Sequence, residues 1–148
     1  MSRMDFQGRI TQHKAAARRL RYAWAILEKG PEHAQCAKYL GGYAIECKLK
    51  AVAMEIYGCW KLEELAEKLG MGSEDVFTHN LERLAKKLTN LYGKLMAGRA
   101  GRSFAEVNKW KPAWRYVPGE VSLKAKESAT HFLFQVREVY NWLETNRG

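Results

Sequence analysis

"AQCAKYLGGYAIECKLKAVAMEIYG", residues 34–58, is apolar almost all round. A helix of that kind sits at the centre of a fold, not on its rim. Glu46 and Lys50 stand inside it four residues apart, with Gly41 and Gly42 just upstream. Each glycine costs a helix about 1 kcal/mol against alanine. The pair therefore makes sense where another backbone packs close to it. Tyr39, Tyr43, Glu46, Lys50 and Tyr57 follow one another by helical steps along one side. That stripe has two readings. Glu46 and Lys50 are an i,i+4 ion pair on a partly exposed strip, worth a few tenths of a kcal/mol, or they are the polar floor of a groove with tyrosines for stacking and hydrogen bonding.

The flanking segments carry the same 3.6-residue period. Residues 9–29 put Ile10, Ala17, Leu20, Trp24 and Leu27 on one face and Lys14, Arg18 and Arg21 on another. Gly30–Pro31 stops this helix and starts the next, with proline in the first turn. "WKLEELAEKLG" predicts a short amphipathic helix, acidic at its start and stopped by Gly70. "GMGSEDVF" reads as a loop or a single turn. "THNLERLAKKLTNLYGKLM" predicts one helix with Leu81, Leu84, Leu88 and Leu91 in a stripe, capped by Thr78 or Asn80. "AGRAGRS" reads as mobile. "SFAE" reads as a capping box, Ser103 with Glu106, that opens a short helix. "KPAWRYVPGE", with Pro112 and Pro118, reads as irregular. Residues 122–145 put Ala125, Ala129, Phe132, Val136, Val139 and Leu143 on one face. The expectation is one all-α domain over residues 1–148. It is an up-and-down bundle of four long helices with one or two short ones inserted.

No apolar run of the 148 residues approaches the ~20 needed to cross a bilayer. The N-terminus lacks the apolar core of a secretory signal, so a cytoplasmic location and no membrane association are expected. Cys36, Cys47 and Cys59 have neither disulfide nor zinc spacing and read as small buried side chains. No histidine pair has metal-ligand spacing and no phosphate loop is present. No metal and no cofactor are expected.

The charge is uneven. The net charge is +9, and two islands carry the excess. Arg3, Arg9, Lys14, Arg18, Arg19 and Arg21 face Asp5 alone in residues 1–21, and residues 94–126 include Arg99, Arg102 and Arg115 among eight basic residues. Either a solubilising surface or an anionic partner, nucleic acid before acidic protein, accounts for them. Arg18, Arg21, Arg99 and Arg102 are the candidate nucleic-acid contacts. Trp110 and Trp114 flank a basic loop and suit either base stacking or the anchoring of that loop. His79 beside Asn80 either completes a polar cluster with Glu46 or belongs to a local helix cap.

"YLGGYAIECKLKA", then "THNLERL", then "WRYVPG" resembles the HEPN family (higher eukaryotes and prokaryotes nucleotide-binding domain) over most of the chain. The resemblance implies a helical bundle, commonly a homodimer, that associates with nucleotide or RNA. It also implies a partner such as a nucleotidyltransferase or an antitoxin, in a toxin–antitoxin or defence setting. The ribonucleases of that family carry Arg followed after four to six residues by His. Here Arg115 is followed at that spacing by Glu120, Val121 and Ser122. Metal-free cleavage then lacks its usual proton shuttle. Binding is therefore expected ahead of a HEPN-type ribonuclease toxin, with a non-catalytic protein–protein module as a third reading. The expected ligand site gathers Tyr43, Glu46, Lys50, His79, Arg115 and Tyr116, with Lys50 and Arg115 on phosphate. No residue is assigned a catalytic role.

Overall fold

Residues 8–70, 79–118 and 121–147 are described by the structure, a computed structural model. The loop expected over "GMGSEDVF", beyond its first residue Gly70, and the alternative cap Thr78 lie outside them. The described elements are helical throughout. They are α1 (Arg9–Glu28), a 3-10 turn (Pro31–His33), α2 (Ala34–Ile56), α3 (Leu62–Leu69), α4 (Leu81–Lys87), α5 (Thr89–Ala97), α6 (Ala100–Val107), a second 3-10 turn (Pro112–Tyr116) and α7 (Leu123–Thr145). No strand occurs among the described residues, where an isolated bridge pairs Gly8 with Lys61.

The apolar stretch is α2, buried from Gly41 to Met54 except at Tyr43. Paired residues fix the directions of its neighbours. His13 meets Glu55 and Arg19 meets Cys47, so α1 runs antiparallel to α2. Leu133 lies on Gly41 and Arg147 on Glu55, so α7 runs parallel to it. These packed faces merge in one apolar core with leucines of α3, α4 and α5 and with Phe104 and Trp110. Burial of that shared surface is the main favourable contribution to folding.

Several local expectations need correction. In α1 the buried face is Gln12, Ala16, Ala23 and Leu27, while Ile10 is 57 % exposed. Of the expected face, Leu27 is buried and Leu20 and Trp24 pack partly buried on the core, while Ala17 is exposed with Ile10. The face therefore holds at its C-terminal half and fails at its start, where Gln12 and Ala16 are buried instead. The leucine stripe is buried as expected, but its helix is two, α4 and α5, broken at Leu88 (ψ 64°). Asn80 caps α4, its Oδ1 accepting from the Arg83 backbone N–H at 2.9 Å. "AGRAGRS" is not a mobile link. It opens α6, where Gly101 is buried because a Cβ there would stand 2.7 Å from the Leu95 carbonyl oxygen. Ser103 is therefore inside α6, and its hydroxyl donates to Glu138 at 2.9 Å instead of capping. Part of "KPAWRYVPGE" is regular, as the second 3-10 turn.

The glycines of α2 are also explained differently. A Cβ on Gly42 would lie 2.1 Å from two ring carbons of Trp110, and one on Gly41 would lie 2.6 Å from Leu133 Cδ2. Side chains, not a second backbone, fill the space. Trp110 Nε1 donates to the Tyr39 carbonyl at 3.0 Å, which settles that indole as an anchor in the core. Of the cysteines, Cys47 and Cys59 are buried but Cys36 is exposed.

Candidate functional site

The Glu46–Lys50 pair is neither on an exposed strip nor open to bulk water. Both residues are at most 5 % exposed, with Lys50 Nζ 3.5 Å from Glu46 Oε2. His79, at the start of α4 and more than half exposed, donates from Nδ1 to Glu46 Oε1 at 2.5 Å. Asn80 supplies the cap, so His79 is free to close the cluster. One turn upstream, the Arg19 guanidinium of α1 lies 4.1 Å from the centroid of the half-buried Tyr43 ring and donates to Cys47 Sγ at 3.6 Å. Burial pushes the Cys47 thiol up to about 11 against the opposing pull of Arg19. That leaves it a neutral packing group and not a nucleophile.

Arg115 and Tyr116 do not join this cluster. Their 3-10 turn packs on the other end of α2, where Gln35 Nε2 donates to the Trp114 carbonyl at 3.3 Å and the Lys38 ammonium stands 5.0 Å from the Trp114 ring. From Lys38 to Lys50 is twelve residues, about 18 Å of helix. The expected shared groove of Lys50 and Arg115 is therefore not formed. Arg115 stacks on its neighbour Tyr116 at 5.7 Å, and both are exposed. Of the basic candidates, Arg18 and Arg21 are exposed on α1. Arg102 is exposed on α6, and Arg99 before it pairs with Glu138 of α7 at 3.6 Å.

A second polar cluster occupies the opposite side of α2, and the sequence reading missed it. At 100° per residue, Lys48 and Glu55 lie half a turn around the helix from Glu46 and Lys50. Lys48 is 2 % exposed. Its ammonium donates to Glu144 of α7 and, at 3.1 Å, to His13 Nδ1 of α1. His13 Nε2 in turn meets the Glu55 carboxylate. Arg147 donates to both Glu55 oxygens, at 2.9 and 2.5 Å, and to Glu144 at 2.6 Å. The five residues thus form a closed ring that ties α1 and α2 to the C-terminal end of α7.

The ring sets its own protonation. Nδ1 of His13 accepts from an ammonium, so the proton of the neutral imidazole sits on Nε2 and is donated to Glu55. Burial, then the charge of Lys48, lowers the pKa of His13 below its ordinary value. Arg147 holds Glu55 below the usual carboxylate range, and Lys48 does the same for Glu144. Both nitrogens of His13 are therefore engaged, and neither offers a lone pair to a substrate proton.

The ring floors a cleft of about 780 Å³. Arg9, Ile10, Lys14 and Ala17 of α1 form one wall, and Tyr140 and Trp60 contribute aromatic surface. Trp60 is 56 % exposed, with the Arg9 guanidinium 3.5 Å from its ring centroid. The Arg9 backbone N–H donates to the Trp60 carbonyl at 2.9 Å, which fixes the loop before α3 against the start of α1. Across the cleft, four cationic side chains face two carboxylates, and the two at the rim, Arg9 and Lys14, have no carboxylate partner among the described residues. Such a hollow suits a ligand that joins an anionic group to a flat ring.

The sequence held faint signals for this site. Lys48 and Glu55 are seven residues apart, two turns along one stripe, and Glu144 and Arg147 are three apart. That α1 brings His13 between them is a tertiary fact with no local trace. Among the described residues no group of His, Cys, Asp and Glu could hold a metal ion, and no helix is long and apolar enough to cross a membrane. No protein-family model matches the chain, and no curated protein or solved structure shows significant similarity to it.

Proposed function

We propose that this chain is a nucleotide- or RNA-binding helical module that acts beside a partner protein. The observation that carries the reading is the cleft between α1, α2 and α7. There Arg9, stacked on the exposed ring of Trp60, and Lys14 offer positive charge that meets no carboxylate among the described residues. Phosphate meets the two cations and a base stacks on the indole, each such stack contributing about 1–3 kcal/mol. The resemblance to the HEPN family implies the same class of ligand, while the residues it singles out, Tyr43, Glu46, Lys50 and Arg115, lie outside the cleft. One domain, with α1, α2, α7 and the broken α4–α5 pair as the four members of an up-and-down bundle, is part of the proposal. The homodimer, the antitoxin or nucleotidyltransferase partner, and the cytoplasmic toxin–antitoxin or defence setting belong to this proposal. Cleavage ranks below binding, because His13 is held at both nitrogens and no Arg-x4–6-His spacing starts at Arg115.

The test is titration of the protein with UMP and AMP at low salt, followed by tryptophan emission and by calorimetry. Saturable quenching is expected, lost in Trp60→Leu and weakened about tenfold or more in the Arg9→Ala, Lys14→Ala double variant. No binding of either nucleotide, or binding indifferent to both changes, would sink the reading.

A further inference from the structure

A second hollow lies beside the cleft on α1. It is lined by Arg18, Arg19 and Tyr22 with Leu40 of α2, and Ile10 and Lys14 line both it and the cleft. The two concavities therefore meet at Ile10 and Lys14. Lys14, Arg18 and Arg21 are all exposed, and their spacing of four and three residues puts them on one face. Tyr22, 53 % exposed, ends that face as Trp60, 56 % exposed, begins it. The surface is thus an aromatic ring, a row of cations and a second aromatic ring. From Arg9 to Tyr22 it spans about 20 Å of helix.

One mononucleotide fills only the first third of such a surface. Paired bases would leave both rings unused, since a stacked duplex presents no base face to a side chain. An acidic peptide would use the cations and ignore the rings. The row of charges between two stacking platforms matches the phosphates and bases of an open strand.

Resting on the cleft reading above, we propose that the ligand is an unpaired nucleic-acid strand that enters at Trp60 and runs along the outer face of α1 to Tyr22. Lys14, Arg18 and Arg21 neutralise successive phosphates. The site covers about four nucleotides, the short end of the range for stacking platforms.

Anisotropy of fluorescein-labelled oligo-U of two, four and eight nucleotides, with UMP as competitor, tests the length. Affinity is expected to rise at least about tenfold from UMP to the tetramer and to level off by the octamer. With three phosphate contacts, the logarithm of the tetramer constant should fall with the logarithm of salt at a slope of about −2. The Arg18→Ala, Tyr22→Ala double variant, changed at surface positions alone, should bring the tetramer down to the affinity of UMP. A tetramer no tighter than UMP, or unaffected by that double change, overturns the track while leaving the cleft reading standing. A blunt duplex that binds as well as the tetramer overturns the unpaired strand, and an oligo-glutamate peptide that does so reduces the surface to a generic anion binder. Failure of UMP and every oligonucleotide alike overturns both this proposal and the reading beneath it.

Discussion

Lys48 keeps its charge almost wholly out of water, held by Glu144 and His13. Such a pair is asymmetric, because Glu144 is 44 % exposed at its side chain and Lys48 is not. Removing the ammonium strands no charge, since Glu144 keeps Arg147 and water, and it costs only the hydrogen bond to the neutral His13 Nδ1. Removing the carboxylate strands a buried cation. Lys48→Met should therefore cost less than about 1 kcal/mol, while Glu144→Gln should cost about 2–3 kcal/mol. Urea unfolding of the two variants checks this, and the reverse order would contradict it. Acid should act on the same ring in two steps. His13 has a lowered pKa in the fold, so the unfolded chain holds its proton more tightly. Its contribution is complete above pH 6.5, its ordinary value, and is lost as the pH falls below it. Glu55 and Glu144 are also lowered, so theirs is present above pH 4.5 and is lost as the pH falls through their folded values. Thermal midpoints measured from pH 8 to pH 2 should show both declines. In His13→Gln, whose amide can still accept from Lys48 and donate to Glu55, the upper decline should vanish and the lower remain. At this scale the sequence was half legible. Glu46 and Lys50 announced themselves by local spacing, and His79 was named as a partner for Glu46. His13 drew no notice, because a lone histidine on a helix says nothing of what faces it 42 positions away.

The helices were the most legible elements, because their period is written in consecutive residues. α2 runs from Ala34 to Ile56, inside the stretch that reads as one apolar helix, and Gly70 ends α3 in the left-handed conformation (φ 62°) expected of a stop. The sequence stopped being a guide where packing overrode local preference. Leu88 turns out of the helical conformation although the stripe of leucines continues through it. "GRAGRS" looked too rich in glycine to be helical, yet Gly101 is what lets α6 turn tightly against the end of α5. Gly42 gives the sharpest test at this scale. Alanine in a helix interior ordinarily gains about 1 kcal/mol over glycine. Here the added methyl would collide with Trp110 Cγ, at the root of a rigid side chain that cannot swing aside alone. Gly42→Ala should therefore destabilise the protein by about 1–3 kcal/mol, the usual cost of overpacking. Trp110→Leu in the same background should recover part of that loss. Thermal melts of the single and double variants decide it, and a stabilised Gly42→Ala would refute the contact.

Across the whole molecule, the +9 charge suggests an anionic partner in general terms but gives no location. The fold sets Lys14, Arg18 and Arg21 on one exposed face of α1, while it leaves Arg115 and Arg102 on other elements. Composition could not separate those outcomes, because which helix face is covered depends on α2 and α7, not on α1. The seat of Trp110 on Gly42 also has a meaning in time. The two partners are 68 positions apart in the chain, whereas α1 and α2 are joined by a one-turn link. Loop-closure entropy delays contacts of long sequence separation, so the α1–α2 hairpin should assemble first and the indole should dock late. In stopped-flow refolding, the far-ultraviolet helical signal should therefore lead the burial of Trp110 followed in a variant that keeps it as the sole tryptophan. Coincident traces would instead mean that this indole belongs to the nucleus around which the other helices condense.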